Sequence, residues 1–157
     1  MGLLEVKEHL KAFKKEQDIF EHQVSTATVQ EAADALGVIP ARIAKTLSFK
    51  IGESALLVVA AGDAKIDNAK FKSQFGTKAK MLSPEEVLHF TGHNIGGVCP
   101  FGLAQPIEVY LDESMKRFAT VFPACGTSNS SIELDLEQLT QISGAKQWVD
   151  VSKGWQE

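Results

Sequence analysis

The chain has 157 residues, 44% of them hydrophobic and 23% charged, with a formal net charge of −4. That length suits one domain whose core closes without disulfide staples, the composition excludes wholesale disorder, and the acidic balance argues against a protein that simply coats nucleic acid. The longest apolar run, residues 55–61, is far short of the ~20 residues a membrane span needs, and the charged N-terminus is no secretory signal, so a cytoplasmic protein with no membrane attachment is expected.

Residues 3–16 set Leu3, Val6, Leu10 and Phe13 at helical spacing with charges opposite, an amphipathic helix. Residues 19–23 read as a short strand. Ser25 to Thr28 offer N-caps for a helix over 29–36 that Gly37 ends, and Pro40 starts a single helical turn through Ala44. Residues 46–51 alternate strictly, with Leu47, Phe49 and Ile51 on one face and Thr46, Ser48 and Lys50 on the other. Gly52-Glu53-Ser54 turns this strand into residues 55–61, apolar on both faces and so a central strand, and the two form a hairpin.

Gly62-Asp63 closes the hairpin, and Asp67 caps a helix to about Phe75, followed by Gly76. Residues 78–82 read as a short strand. Ser83-Pro84-Glu85-Glu86 carries a cap, a first-turn proline and a glutamate at the third helical position, the start of a helix to Phe90. Asn94 to Gly102, with three glycines and a proline, reads as a loop of unusual path whose Gly96-Gly97 pair can bring bare N–H groups close to a ligand carbonyl, or simply as a tight turn. Residues 107–111 follow as a strand, 112–114 as a helical turn, and 120–122 and 131–134 as β segments. Asp135 caps a helix over 136–142 ended by Gly144, and 148–151 form a last strand. Strands and helices without regular βαβ alternation predict a single α+β domain with a mixed, largely antiparallel, barrel-like sheet of about six to eight strands surrounded by helices.

Charge is unevenly spread. From Arg42 to Lys80 there are eight basic residues against three acids, and from Glu108 onward eight acids against four bases, so one flank can receive a polyanion while the whole stays acidic. The two cysteines, Cys99 and Cys125, have no zinc spacing, and His89 and His93, four apart across an apparent helix end, read as solvated surface histidines rather than metal ligands. No nucleophile elbow, phosphate loop, dinucleotide fingerprint or metalloprotease motif occurs. Three polar features remain at strand–loop junctions: Lys45, the glycine loop with Cys99, and the small, hydroxyl-rich run from Cys125 to Ser131. Cys99 as a nucleophile needs a base to make thiolate, and no histidine is identifiable beside it.

Five stretches carry a family resemblance: Ala41-Arg42-Ile43-Ala44-Lys45-Thr46-Leu47; the strand Leu56 to Ala60 with Gly62-Asp63; Gly96-Gly97-Val98-Cys99-Pro100-Phe101-Gly102; Val109-Tyr110-Leu111-Asp112-Glu113-Ser114; and Ala124-Cys125-Gly126 with Ile132-Glu133-Leu134. In unbroken order over about residues 20 to 151, these resemble the YbaK/EbsC family, relatives of the editing domain inserted in bacterial prolyl-tRNA synthetase. The resemblance implies hydrolysis, in trans, of the ester joining a small wrong amino acid (Cys, Ala, Ser or Thr) to the terminal adenosine of tRNA, with tRNA-Pro the expected carrier, prolyl-tRNA synthetase a possible partner, and no cofactor or metal. It assigns Lys45 to the terminal nucleotide and Gly96, Gly97 and Pro100 to the carbonyl-orienting loop. Val98, Cys99 and Phe101 are expected to set pocket size, with Thr46, Phe49, Gly102, Cys125, Gly126 and Thr127 completing the substrate site. Two alternatives are a non-catalytic binder of aminoacyl-tRNA or of a synthetase, and a thiol-dependent hydrolase acting through Cys99.

Overall fold

Helix boundaries in the computed structural model, which describes residues 2–155, follow the capping residues. Helix α1 (Leu3–Lys11) buries Val6 and Leu10 and stops short of residue 16. Phe13, the next member of its apolar stripe, is 41% exposed and stacks on His9, so no core lies beyond Leu10 to reward further turns. After a 3-10 turn at Glu16–Asp18 and strand β1 (Phe20–Glu21) comes α2 (Val29–Leu36). Its cap is a reciprocal box: Thr28 accepts from the Glu31 N–H while the Glu31 carboxylate accepts from the Thr28 N–H.

Strands β2 (Ile43–Ile51) and β3 (Ser54–Ala61) form the expected antiparallel hairpin, with Thr46 opposite Val59 and Phe49 opposite Leu56. Then follow β4 (Lys65–Ile66), α3 (Asn68–Phe75) capped by Asp67, and α4 (Pro84–Thr91) capped by Ser83 with Glu86. Strand β5 (Glu108–Asp112) leads through a 3-10 turn at Glu113–Arg117 into β6 (Thr120–Pro123), β7 (Ser130–Ser131) and β8 (Leu134–Asp135). Helix α5 (Leu136–Ser143), capped by Asp135, precedes β9 (Gln147–Val149) and β10 (Ser152–Lys153). Gly37, Gly76, Gly92 and Gly144 close α2 to α5 in the left-handed conformation.

The fold is α+β. A six-stranded mixed sheet, in the order β8-β6-β2-β3-β5-β9, curls into half a barrel, and the pairs β1–β7 and β4–β10 form two small antiparallel sheets. The antiparallel β2–β3 hairpin sits at its centre, and β6 and β5 join its two sides in parallel. Each face of the hairpin meets its own core. Leu57, Val59 and Ala61 pack with Val6, Leu10 and Leu139 on one side, whereas Leu56, Val58 and Phe49 pack with Phe71 and Tyr110 on the other.

One edge of β2 is incompletely paired, and this positions the site. Strand β6 meets it only at Ile43 and Ala44. The expected strand at 78–82 is reduced to a single bridge, Met81 to Phe49, with the Lys50 N–H donating to Lys80 O (2.8 Å) and the Leu82 N–H to Ser48 O (3.2 Å). Residues 45–47 lie between these two partners, where the ladder has a gap.

Candidate active site

A cavity of about 230 Å³ occupies that gap. Its floor is the open edge of β2, with Ala44, Thr46 and Ser48 from one face and Ile43 and Lys45 from the other; α2 with Thr28, the end of β6 with Phe122 and Ala124, and the segment with Met81 and Leu82 form its sides. Ile95, Gly96 and Val98 of the glycine loop close the remaining side. The walls are mostly apolar with a few hydroxyls, the usual make-up of a small-ligand site. One of those hydroxyls, Thr46 Oγ1, is buried without a hydrogen-bond partner among the described residues. Such a group costs roughly 1–3 kcal/mol. Thr46 also has the same strand parity as Ser48 and Lys50, whose main-chain groups point toward residues 80–82, so its own peptide groups face the gap.

Lys45 borders the cavity, and its ammonium donates to Gly62 O (3.2 Å) and Ala64 O. Burial lowers its pKa from the ordinary lysine value, opposed by the negative charge of Asp63. An ammonium has three donors; the two carbonyls leave one for a ligand.

The glycine loop divides into two halves. Its first half lies at the cavity. The Gly97 N–H turns back to Asn94 O (3.0 Å), while those of Gly96 and Val98 meet no acceptor among the described residues. Gly97 itself packs backbone on backbone against the next loop: a Cβ there would lie 2.5 Å from Thr127 N and 2.6 Å from the Gly126 carbonyl carbon, so only glycine fits. In its second half Cys99 and Phe101 are fully buried in the main core beside Cys125.

Lys45, Thr46, Gly96 and Val98 are thus brought to one cavity. The other expected site residues lie elsewhere. Gly97, Gly126 and Thr127 border a separate hollow, Pro100 borders an open groove beside His9, and Gly102 donates its N–H to His9 Nδ1 (3.0 Å). Phe49 faces the opposite core, 4.7 Å from the Phe71 ring, because alternation puts it on the other side of β2 from Thr46. Cys99, Phe101 and Cys125 support the loops from behind. Ser48, Thr28, Met81, Ile95, Ser130 and Ser131 line the cavity without having been singled out individually; the parity of Ser48 with Thr46 was the available signal.

His93 corrects two expectations. It is 1% exposed rather than solvated, and its Nε2 lies 3.6 Å from Cys99 Sγ, so a histidine does stand beside the thiol. It is no base for it. Nε2 is 2.7 Å from Phe101 O, and a carbonyl only accepts, so that nitrogen already carries the proton. Burial pushes the Cys99 thiol up to about 12 and the Cys125 thiol well above its ordinary value. Thiolate chemistry has no support here. Among the described residues no cluster of three His, Cys, Asp or Glu side chains could hold a metal, and no helix is long and apolar enough to cross a membrane.

Comparison with known proteins shows the family to which this fold belongs. Residues 23–142 match the aminoacyl-tRNA editing domain. The chain is 56% identical over 157 residues to the uncharacterized protein YwhH of Bacillus subtilis, covering 99% of this chain and 100% of that protein. It is 29% identical over 101 residues to a proline–tRNA ligase of Bacillus cytotoxicus, covering 64% of this chain but only 18% of the ligase. A crystal structure described as a candidate trans-editing enzyme for prolyl tRNA synthetase superposes with a TM-score of 0.88 at 31% identity, over 98% of both chains. The chain belongs to the aminoacyl-tRNA editing domain family, within the YbaK group related to the editing domain of prolyl-tRNA synthetase.

Proposed function

We propose that this protein is an aminoacyl-tRNA deacylase acting in trans: it hydrolyses the ester between a small, wrongly attached amino acid and the 3′-terminal adenosine of tRNA, with tRNA-Pro the expected carrier and prolyl-tRNA synthetase the enzyme whose errors it corrects. The observation that carries the reading is the meeting of Lys45, the unpaired stretch of β2 at Thr46, and the Gly96–Val98 turn at one small cavity.

Water adds to the ester carbonyl carbon, the acyl C–O bond breaks, and the ribose 3′-oxygen leaves with a proton. An aminoacyl ester is already activated, so placement and stabilisation of the developing oxyanion are the main needs, and in other enzymes each supplies several kcal/mol. The N–H groups of Gly96 and Val98 are the donors for the carbonyl oxygen. The remaining ammonium donor of Lys45 holds the terminal nucleotide and so positions the ester for attack. The attacking group is activated by the substrate itself, through the ribose 2′-hydroxyl or, for cysteine, its side-chain thiol. Val87, Val98 and Phe122 bound the space for the side chain. Selection by size separates amino acids differing by one methylene by only ~10–200-fold, which makes a second sieve after the synthetase useful.

A panel of tRNA-Pro charged separately with Cys, Ala, Ser, Thr and Pro tests the reading. Deacylation of one small amino acid well above the spontaneous rate, with Pro-tRNA spared, is expected; equal, background rates for all five contradict it.

A further inference from the structure

The turn that receives the Lys45 ammonium is held by a distant part of the chain. Ala61, Gly62, Asp63 and Ala64 leave the end of β3, with the Ala64 N–H donating to Ala61 O (3.0 Å) and the Ala61 N–H to Ser114 Oγ (3.0 Å). Three residues beyond Ser114, Arg117 grips Asp63 with both arms: Nη1 donates to Oδ2 (3.0 Å) and Nη2 to Oδ1 (2.6 Å). The third guanidinium donor, Nε, reaches Ser114 O (2.9 Å), and the same group lies 4.9 Å from the Phe118 ring centre and 5.1 Å from that of Trp155. A planar fork fixed on three sides holds a carboxylate in one orientation. On the far side of the turn a Cβ at Gly62 would lie 2.1 Å from Pro40 O, so the turn has no slack in that direction.

The carboxylate so held is the one whose charge acts on Lys45. Both its oxygens are given to Arg117, and the Lys45 ammonium is left to the neutral carbonyls of Gly62 and Ala64. A carboxylate is the stronger acceptor, since charge-assisted hydrogen bonds are about twice as strong as neutral ones. Released from Arg117, Asp63 would compete for the ammonium and draw it from the cavity.

We propose that Arg117 is a positioning residue for Lys45: its bidentate grip on Asp63 fixes the turn whose carbonyls aim the ammonium and keeps the carboxylate from capturing it. The inference rests on the reading of Lys45 as the substrate-holding lysine. Arg117 contributes nothing to the cavity wall; its effect runs through Asp63.

The test has an activity arm and an arm independent of activity. In deacylation of the charged tRNA that the unaltered protein clears fastest, Arg117→Ala is expected to lower kcat at least about tenfold with KM changed less than about threefold, as for a misplaced group. Arg117→Lys recovers part of the loss. Asp63→Asn added to Arg117→Ala removes the competing carboxylate and raises kcat above that of the single variant, a rescue that a merely structural role would not give. In the second arm the Lys45 ammonium is titrated by NMR of carbon-labelled lysine, with Lys45→Ala for assignment. The charged groups acting on it are Asp63 and Lys65, and in Arg117→Ala its pKa is expected to rise as Asp63 turns toward it. Unchanged kcat in Arg117→Ala, a double variant no better than the single one, or an unchanged Lys45 titration overturns the proposal. If no form of the protein deacylates any charged tRNA, the proposed function fails instead, and the titration alone decides what Arg117 does.

Discussion

The two faces of β2 are built from the same nine residues and do opposite things. On one face Phe49 enters a chain of rings, 4.7 Å from Phe71, which is 4.7 Å from Phe75, itself 4.9 Å from Tyr110. On the other, one and three residues away, Ser48 and Thr46 floor a cavity, and Thr46 Oγ1 is buried with no partner among the described residues. A strand closed on both faces would gain more from burial; this one leaves a polar stretch open where its edge pairing is interrupted. The difference separates Phe49, which anchors the strand in its core, from Thr46 and Ser48 at the cavity; Lys45 has the parity of Phe49 and reaches the cavity only because it sits at the gap in the edge pairing.

Substitutions on either face can break or sharpen that separation. Phe49→Ala has the largest expected effect on the fold, a loss of about 3–5 kcal/mol in denaturant unfolding as a fully buried aromatic is truncated, with deacylation by the remaining folded protein near normal. A stable Phe49→Ala protein that no longer deacylates would move Phe49 to the site. Gly97→Ala comes next. Its Cβ would lie 2.5 Å from Thr127 N, so the two loops must part, and a stability loss of about 1–3 kcal/mol with a fall in kcat is expected in unfolding and turnover measurements. Lys45→Ala should lower deacylation at least about tenfold, equivalent to about 1.4 kcal/mol of transition-state stabilisation, while the melting temperature stays close to that of the unaltered protein; an unchanged rate would remove the lysine from the site.

The smallest effect is expected at Cys99. Cys99→Ala should deacylate at a rate close to the original, and alkylating reagents should not label the native thiol. The sign of the pH effect follows from the raised value. The thiol stays protonated in the folded state up to about 12, whereas the unfolded thiol ionises near its ordinary value of 9.0. Its contribution to stability is complete below that value and is lost as pH rises from there toward about 12. Unfolding curves across that range should fall more steeply for the unaltered protein than for Cys99→Ala.

Much of this was legible in local signals. Thr28, Asp67, Ser83 and Asp135 cap the helices they were expected to cap, because capping depends on residues three apart. The β2–β3 hairpin was readable from alternation followed by a continuous apolar run. What depends on distant partners was not. The parallel docking of β5 and β6 onto the hairpin, the reduction of residues 78–82 to one bridge, and the early end of α1 are decided by packing. The site divides in the same way. Alternation already puts Thr46 and Phe49 on opposite faces of one strand, and only the cavity at the Thr46 face made that decisive. The glycine loop read as one functional unit, yet Ile95, Gly96 and Val98 face the cavity, Gly97 turns to a separate hollow, and 99 and 101 are core, a split set by the contact of Gly97 with the Gly126–Thr127 backbone. His93 was hidden because its partners, Cys99 and Phe101, are brought to it by that loop's path.

Whether the open face of β2 turns over substrate or only binds it is read most directly by mixing a small amount of the protein with a large molar excess of tRNA charged with each small amino acid and following ester loss. The expected result is that one such tRNA is cleared to many equivalents per protein molecule, and that Lys45→Ala slows this at least about tenfold. Tight binding with ester loss no faster than in buffer would contradict it and make the cavity a docking site for charged tRNA.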